Sequence, residues 1–122
     1  MSKLVALVGH CEMDGPRLKR EISEGLAGTE VVRINSLKDL DRVVEQGADL
    51  LLVNRVPVGF DEEGVDLIRR VHRKDPEAKV MLVSDRLDAQ AEAVDAGALP
   101  GFGKELMGTK ELIEAVEEGL EG

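Results

Sequence analysis

The sequence contains no tryptophan and no tyrosine, and its only phenyl rings are those of Phe60 and Phe102. Stacking platforms for nucleobases are therefore poorly supplied. A single cysteine, Cys11, leaves no partner for an internal disulfide. Apolar runs are short: a stretch such as Leu4 to Val8 cannot cross a bilayer. Positive charge is also scarce, with 16 Lys and Arg against 25 Asp and Glu and a formal net charge of -9. Such a surface repels nucleic-acid phosphates and anionic membranes. The one basic cluster, Arg69-Arg70-Val71-His72-Arg73-Lys74, reads as a solvated helix face with cations near a helix C-terminus. Neither nucleic acid nor membrane is expected as a partner. The opening residues Met1-Ser2-Lys3-Leu4 pass straight into a strand-like run without a signal-peptide cleavage pattern, so a cytoplasmic location is expected.

What is present is an ordinary globular composition, 43% apolar and 34% charged, over 122 residues. That length suits one domain, residues 1-122, and the chain shows no internal repeat, low-complexity tract or linker. Five Val- and Leu-rich segments read as strands: Leu4 to Val8, Val31 to Ile34, Leu50 to Val53, Val80 to Val83, and a weaker one from Leu99 to Phe102. Helical periodicity fills the gaps. The first helix, entered through Asp14-Gly15-Pro16, carries Leu18, Ile22 and Leu26 on one face. Ser36-Leu37-Lys38-Asp39 resembles a capping box before the stripe Leu37, Leu40, Val43 and Val44. Val65, Ile68 and Val71 define a third helix, closed by Asp75-Pro76. Asp88 is expected to cap a fourth bearing Ala91 and Val94, and Thr109 opens a fifth with Leu112, Ile113, Val116 and Leu120.

Strict alternation of strand and helix predicts an α/β fold: a five-stranded, parallel, doubly wound sheet covered on both faces. Ligands of such sheets bind beyond the C-terminal strand ends where the strand order reverses, between strands one and three. The loops that reach this edge carry Gly9-His10-Cys11-Glu12, Asn54-Arg55-Val56-Pro57 and Ser84-Asp85, with Lys104 delivered by strand five.

At these positions the sequence resembles the bacterial response-regulator receiver domains, over nearly its whole length. The segments that carry the resemblance are Ala48-Asp49-Leu50-Leu51-Leu52-Val53-Asn54, Gly64-Val65-Asp66-Leu67-Ile68-Arg69-Arg70-Val71, Val80-Met81-Leu82-Val83-Ser84, and Ala96-Gly97-Ala98 with Lys104 seven residues after the glycine. The resemblance implies the flavodoxin-like (βα)5 receiver fold with strand order 2-1-3-4-5. In that family an aspartate ending strand three accepts phosphate, two acids after strand one hold Mg²⁺, and a Ser or Thr and a Lys bind the phosphoryl oxygens.

Carried over residue by residue, Ser84 matches the hydroxyl and Lys104 the lysine, but the phosphoacceptor position is Asn54 and the metal-acid positions are Gly9 and His10. An amide nitrogen has no free lone pair with which to attack phosphorus. Mg²⁺ seeks carboxylate oxygens, which glycine and imidazole do not supply. Pro57 falls three residues after Asn54 rather than four, Glu105 rather than proline follows Lys104, and Gly101 stands at the aromatic switch position. The segment 84–97 is about two residues short of the family pattern. Charge counting gives Lys104 the neighbours Glu12 and Asp85. Restoring phosphorylation would then take Gly9→Asp and His10→Asp together with Asn54→Asp.

His10 and Cys11, with Glu12 and Asp14 near, are weak candidates for a transition metal, but their spacing is that of no closed zinc site. His72 reads as a surface residue. A Ser84-Lys104 hydrolytic pair lacks an oxyanion hole and a third group. Cobalamin-type binding would need an acid at Val8 and a glycine at Met13. The expected function is thus a stand-alone atypical receiver, a pseudo-receiver without enzyme activity or cofactor. It would work in two-component signal transduction or phosphorelay by phosphorylation-independent contact with a kinase, another regulator or an output protein. Residues 91–103 and 111–120, in helix four, strand five and helix five, are the candidate partner or homodimer face that the resemblance implies. The alternative is a small-ligand or metal sensor using His10, Cys11, Asn54 and Lys104 in the same crevice.

Overall fold

The computed structural model describes residues 2–121. Five parallel strands, β1 (Lys3–Val8), β2 (Thr29–Ile34), β3 (Leu50–Asn54), β4 (Val80–Val83) and β5 (Leu99–Phe102), form one sheet in the order β2-β1-β3-β4-β5. Helices α1 (Asp14–Gly25), α2 (Leu37–Glu45), α3 (Gly64–Lys74), α4 (Leu87–Asp95) and α5 (Lys110–Glu121) connect and follow them, with a short 3-10 turn at Lys104–Leu106. This is the doubly wound parallel sheet that the alternation predicts, in the flavodoxin-like (βα)5 strand order that the resemblance implies.

The continuous apolar character of the strands follows from burial on both faces. Successive side chains point to opposite sides, so Ala6, Val8, Leu51, Val53, Val80 and Leu82 join one core with α2, α3 and α4. Val5, Leu7, Leu50, Leu52, Met81 and Val83 join the other, with Leu18 and Ile22 of α1 and Leu112, Val116 and Leu120 of α5. Ser36 caps α2 as its sequence suggests, its hydroxyl accepting from the Asp39 amide at 3.2 Å. The Asp39 carboxylate lies 3.6 Å from Arg42.

The basic cluster on α3 is locally paired. Arg70 makes two bonds to Asp41 of α2, at 3.1 and 2.8 Å, Lys74 reaches Glu45 at 3.4 Å, and Arg69 lies 2.9 Å from Asp66 and 3.8 Å from Glu92 of α4. His72 corrects the expectation of a surface residue. It is half-buried, with Nδ1 3.1 Å from the Ala96 carbonyl and Nε2 3.0 Å from that of Ala78, so the ring clasps α3 to the end of α4.

The start of α4 also differs. Arg86, not Asp88, is the residue before the first turn, and it has no side-chain cap. The Asp88 carboxylate instead binds the Arg86 guanidinium at 3.1 and 2.8 Å. The helix turns Ala93 into the core, with Ala89 and Ala96 packed against it, and leaves Ala91 and Val94 outside.

Register sets the site. Val8 lies beside Val53, and Asn54 beside Val83 of the next strand, so the residues that follow β1 and β4 flank the Asn54 side chain.

Candidate functional site

Asn54, Ser84 and Lys104 come together at the C-terminal strand edge, around an open crevice of about 350 Å³ that Arg55, Asp85 and Arg86 also line. The three positions that sequence reasoning grouped are therefore spatial neighbours. Gly9 and His10 do not line this crevice.

Asn54 is 8% exposed, and its amide nitrogen donates to two carbonyls, those of Gly9 and Val56, each at 3.0 Å. The Gly9 carbonyl also accepts from the Val58 amide at 2.8 Å. Asn54 thus stitches the loop after β1 to the loop after β3. Both contacts require a donor, which an ionised carboxylate cannot be. Pro57 completes the clasp by lying directly over Gly9. Gly9 has φ +74°, and a Cβ there would meet the Pro57 side chain and come within 2.6 Å of its Cα. The early proline and the glycine are two sides of one contact.

His10 is 1% exposed and points inward, Nε2 lying 2.9 Å from the Leu52 carbonyl. A carbonyl can only accept, so Nε2 carries the proton and Nδ1 is left bare, without a partner. Burial holds the imidazole pKa below its ordinary 6.5. The Leu52 bond opposes that shift, the nearby Lys104 adds to it, Asp14 opposes it and Arg33 adds to it. A group that resists protonation when folded contributes stability above the unfolded pKa and loses it as pH falls. Unfolding free energy should therefore drop on acidification from about pH 6.5, and His10→Gln, which keeps a donor toward Leu52, should flatten that slope. Urea melts of both proteins between neutral and mildly acid pH test this; equal slopes would remove His10 as the source. Asp14 and Asp41 have lowered pKa values through their bonds to Lys104 and Arg70, so their contributions fade only at lower pH, below the ordinary carboxylate value of 3.8.

Lys104 corrects the charge-counting expectation. Its ammonium pairs with Asp14 at 2.8 Å, not with Glu12 or Asp85. Glu12 is bound by Arg33 of β2 at 3.1 Å, and Asp85 turns toward the Glu105 amide at 3.4 Å. Asp14 opens α1 beside Lys104, and Cys11 braces the turn that leads into it. The Cys11 sulfur accepts from the Asp14 amide at 3.4 Å and its carbonyl from the Gly15 amide at 2.7 Å.

Ser84 accepts the Arg86 amide on its hydroxyl at 3.1 Å, and its own amide donates to Phe102 at 2.9 Å, which fixes the β4 end to β5. Gln90 was invisible to sequence reasoning. Its amide nitrogen bonds the carbonyls of Leu82 and Ser84, each at 2.9 Å, and that of Phe102 at 3.3 Å. Gly101 has no room for a side chain: a built Cβ would run into the Leu82 carbonyl of β4 and lie 2.8 Å from the Gln90 carbonyl oxygen. The register of β5 shifts between Met81 and Val83, which accommodates Pro100 and Gly101. Only this pairing, and not any local pattern, connects Gln90 to the position of the family's aromatic switch.

The arrangement fits Mg²⁺ poorly. Gly9 offers no side chain, His10 faces the core, and Asp14 is engaged by Lys104. Among the described residues no three His, Cys, Asp or Glu side chains converge to hold a metal ion, and the weak candidates His10 and Cys11 turn to the Leu52 carbonyl and the α1 turn. No helix of the described residues is long and apolar enough to cross a membrane.

No family model matches the sequence, and no curated protein does. Solved structures do. A response regulator from Thermotoga maritima superposes with a TM-score of 0.80 at 21% identity over 100% of both chains. The receiver domain of NtrX from Brucella abortus gives 0.77 at 20% identity, covering 98% of this chain and 98% of that one. The beryllofluoride-activated NtrC4 receiver domain, described as a dimer, gives 0.79 at 15% identity over 99% of this chain and 98% of that one. Identity at this level speaks for architecture, and the chain has the fold of the response-regulator receiver domains.

Proposed function

We propose that this chain is an atypical receiver: a cytoplasmic signalling module that keeps the receiver scaffold and acts by protein contact without being phosphorylated. The observation that carries this reading is the Asn54 amide, whose nitrogen is committed to the Gly9 and Val56 carbonyls at 3.0 Å where the family carries a reactive carboxylate. Two further features support it. Lys104 is paired with Asp14, and Gly101, at the aromatic switch position of the family pattern, lies so close to the Leu82 carbonyl and the Gln90 amide that no side chain fits there. No residue of the crevice is assigned a catalytic role. Contact with a kinase, another regulator or an output protein, or with a second copy, would use the surface formed by α4, β5 and α5.

Incubation with acetyl phosphate or beryllofluoride and Mg²⁺ tests the reading. Intact mass should show no phosphoryl adduct, and amide NMR shifts around 54, 84 and 104 should stay in place. A stable phospho-adduct at any residue would overturn it.

A further inference from the structure

We propose that the α4–β5–α5 face docks a cationic helical segment of another protein, anchored by apolar side chains, in preference to a second copy of this chain. The proposal rests on the protein-contact reading above and names the chemistry of the partner.

Leu87 is 86% exposed and Val94 44%, and Ala91 is exposed between them. Their spacing of i, i+4 and i+7 puts all three on one stripe of α4, about 10 Å long. The stripe borders a shallow apolar groove of about 490 Å³ that it shares with Gln90, Pro100 and Gly101. A two-turn apolar stripe beside a groove matches the footprint of a docked amphipathic helix, which is read through anchors at the same spacing. Strand addition is less well served. β5 is the edge strand, and Pro100 has no amide hydrogen to offer there.

Charge selects the occupant. Asp95 lines the groove. On α5, Ile113 packs over Gly25 of α1, and at 100° per residue Glu111, Ala115 and Glu118 fall on the flank away from it. Asp95, Glu111 and Glu118 are in no ion pair among the described residues, whereas Arg86, the cation at the head of the stripe, is held by Asp88 at 2.8 Å. A two-fold dimer through this face would set one copy's acidic patch against the other's, on a chain already at net charge -9. Like charges brought face to face oppose association, while Lys and Arg flanking the anchors of a foreign helix would satisfy these carboxylates.

The probes are two labelled helical peptides with identical leucine spacing, one flanked by lysines and one by glutamates, titrated into the full chain at physiological salt. The lysine peptide should bind at least about tenfold more tightly, since one tenfold step corresponds to about 1.4 kcal/mol of interaction. Amide shifts should centre on 87–101 and 111–118. Leu87→Ser with Val94→Ser, both surface changes, should weaken binding tenfold or more with the circular dichroism spectrum unchanged, and sedimentation equilibrium should show a monomer. The proposal is overturned by binding that ignores the double substitution, by shifts spread over the acidic surface, or by a wild-type dimer that the substitution dissociates. A phospho-adduct would overturn the parent reading alone, because the peptide titration requires no phosphoryl group.

Discussion

Asn54→Asp should lower the unfolding free energy by about 2–3 kcal/mol and still leave the protein unphosphorylated. The Asn54 nitrogen supplies both donors that hold the Gly9 and Val56 carbonyls at 3.0 Å. An ionised carboxylate has none, so the substitution deletes two bonds and sets negative charge against two carbonyl oxygens at a position only 8% exposed. The Gly9 carbonyl keeps its bond from the Val58 amide at 2.8 Å, which is why the loss should stay within a few kcal/mol. Phosphorylation fails for a separate reason: a carboxylate at 54 gains no metal acids. Urea titration gives the stability change, and intact mass after acetyl phosphate treatment gives the chemistry. Efficient phosphorylation of the single variant would show that acids other than those expected at 9 and 10 can assemble the metal site.

Adding the missing acids at those positions should fail more severely. Gly9→Asp is expected to destabilise the protein by more than about 3 kcal/mol, because backbone strain and overpacking combine. At φ +74° an L side chain is already strained, and here its Cβ would run into Pro57, whose Cα lies within 2.6 Å of the built position. Gly28→Ala separates the two costs. Gly28 has φ +81° but nothing within 4 Å of a built Cβ, so only the conformational penalty of about 1 kcal/mol applies. Denaturation midpoints should therefore fall further for Gly9→Ala than for Gly28→Ala, and Gly9→Asp further still. Equal losses for the two alanine variants would refute the contact with Pro57 as the cause. His10→Asp would in turn bury a carboxylate opposite the Leu52 carbonyl. The triple replacement suggested by the sequence is therefore expected to disrupt the loops after β1 and β3, which pack glycine against proline and hold Asn54 by its amide nitrogen, before it could assemble a metal site.

Two partner assignments show the limit of reading along the chain. Glu12 and Asp85 lie close to the site in sequence terms, yet Arg33, brought in by the β1–β2 pairing, takes Glu12, and Asp14 takes Lys104 at 2.8 Å. Gln90 carries no motif at all. Its role exists because α4 packs against β4 and β5 beside Gly101. His72 looked superficial within a run of basic residues and proves to lie half-buried between two carbonyls, those of Ala96 and Ala78.

By itself, the sequence determined the order of the elements, the parallel sheet, the apolar faces and the co-location of Asn54, Ser84 and Lys104, because periodicity and strand-end position are local properties that a parallel sheet converts directly into layers and edges. Tertiary structure alone decided which donor meets which acceptor: that Asn54 clasps two loops, that Lys104 pairs with Asp14, that His10 faces inward, and that Leu87, Ala91 and Val94 are left uncovered. Those outcomes depend on crossings between segments dozens of residues apart, where a single bulge or an absent Cβ redirects a side chain, and no pattern along the chain encodes them.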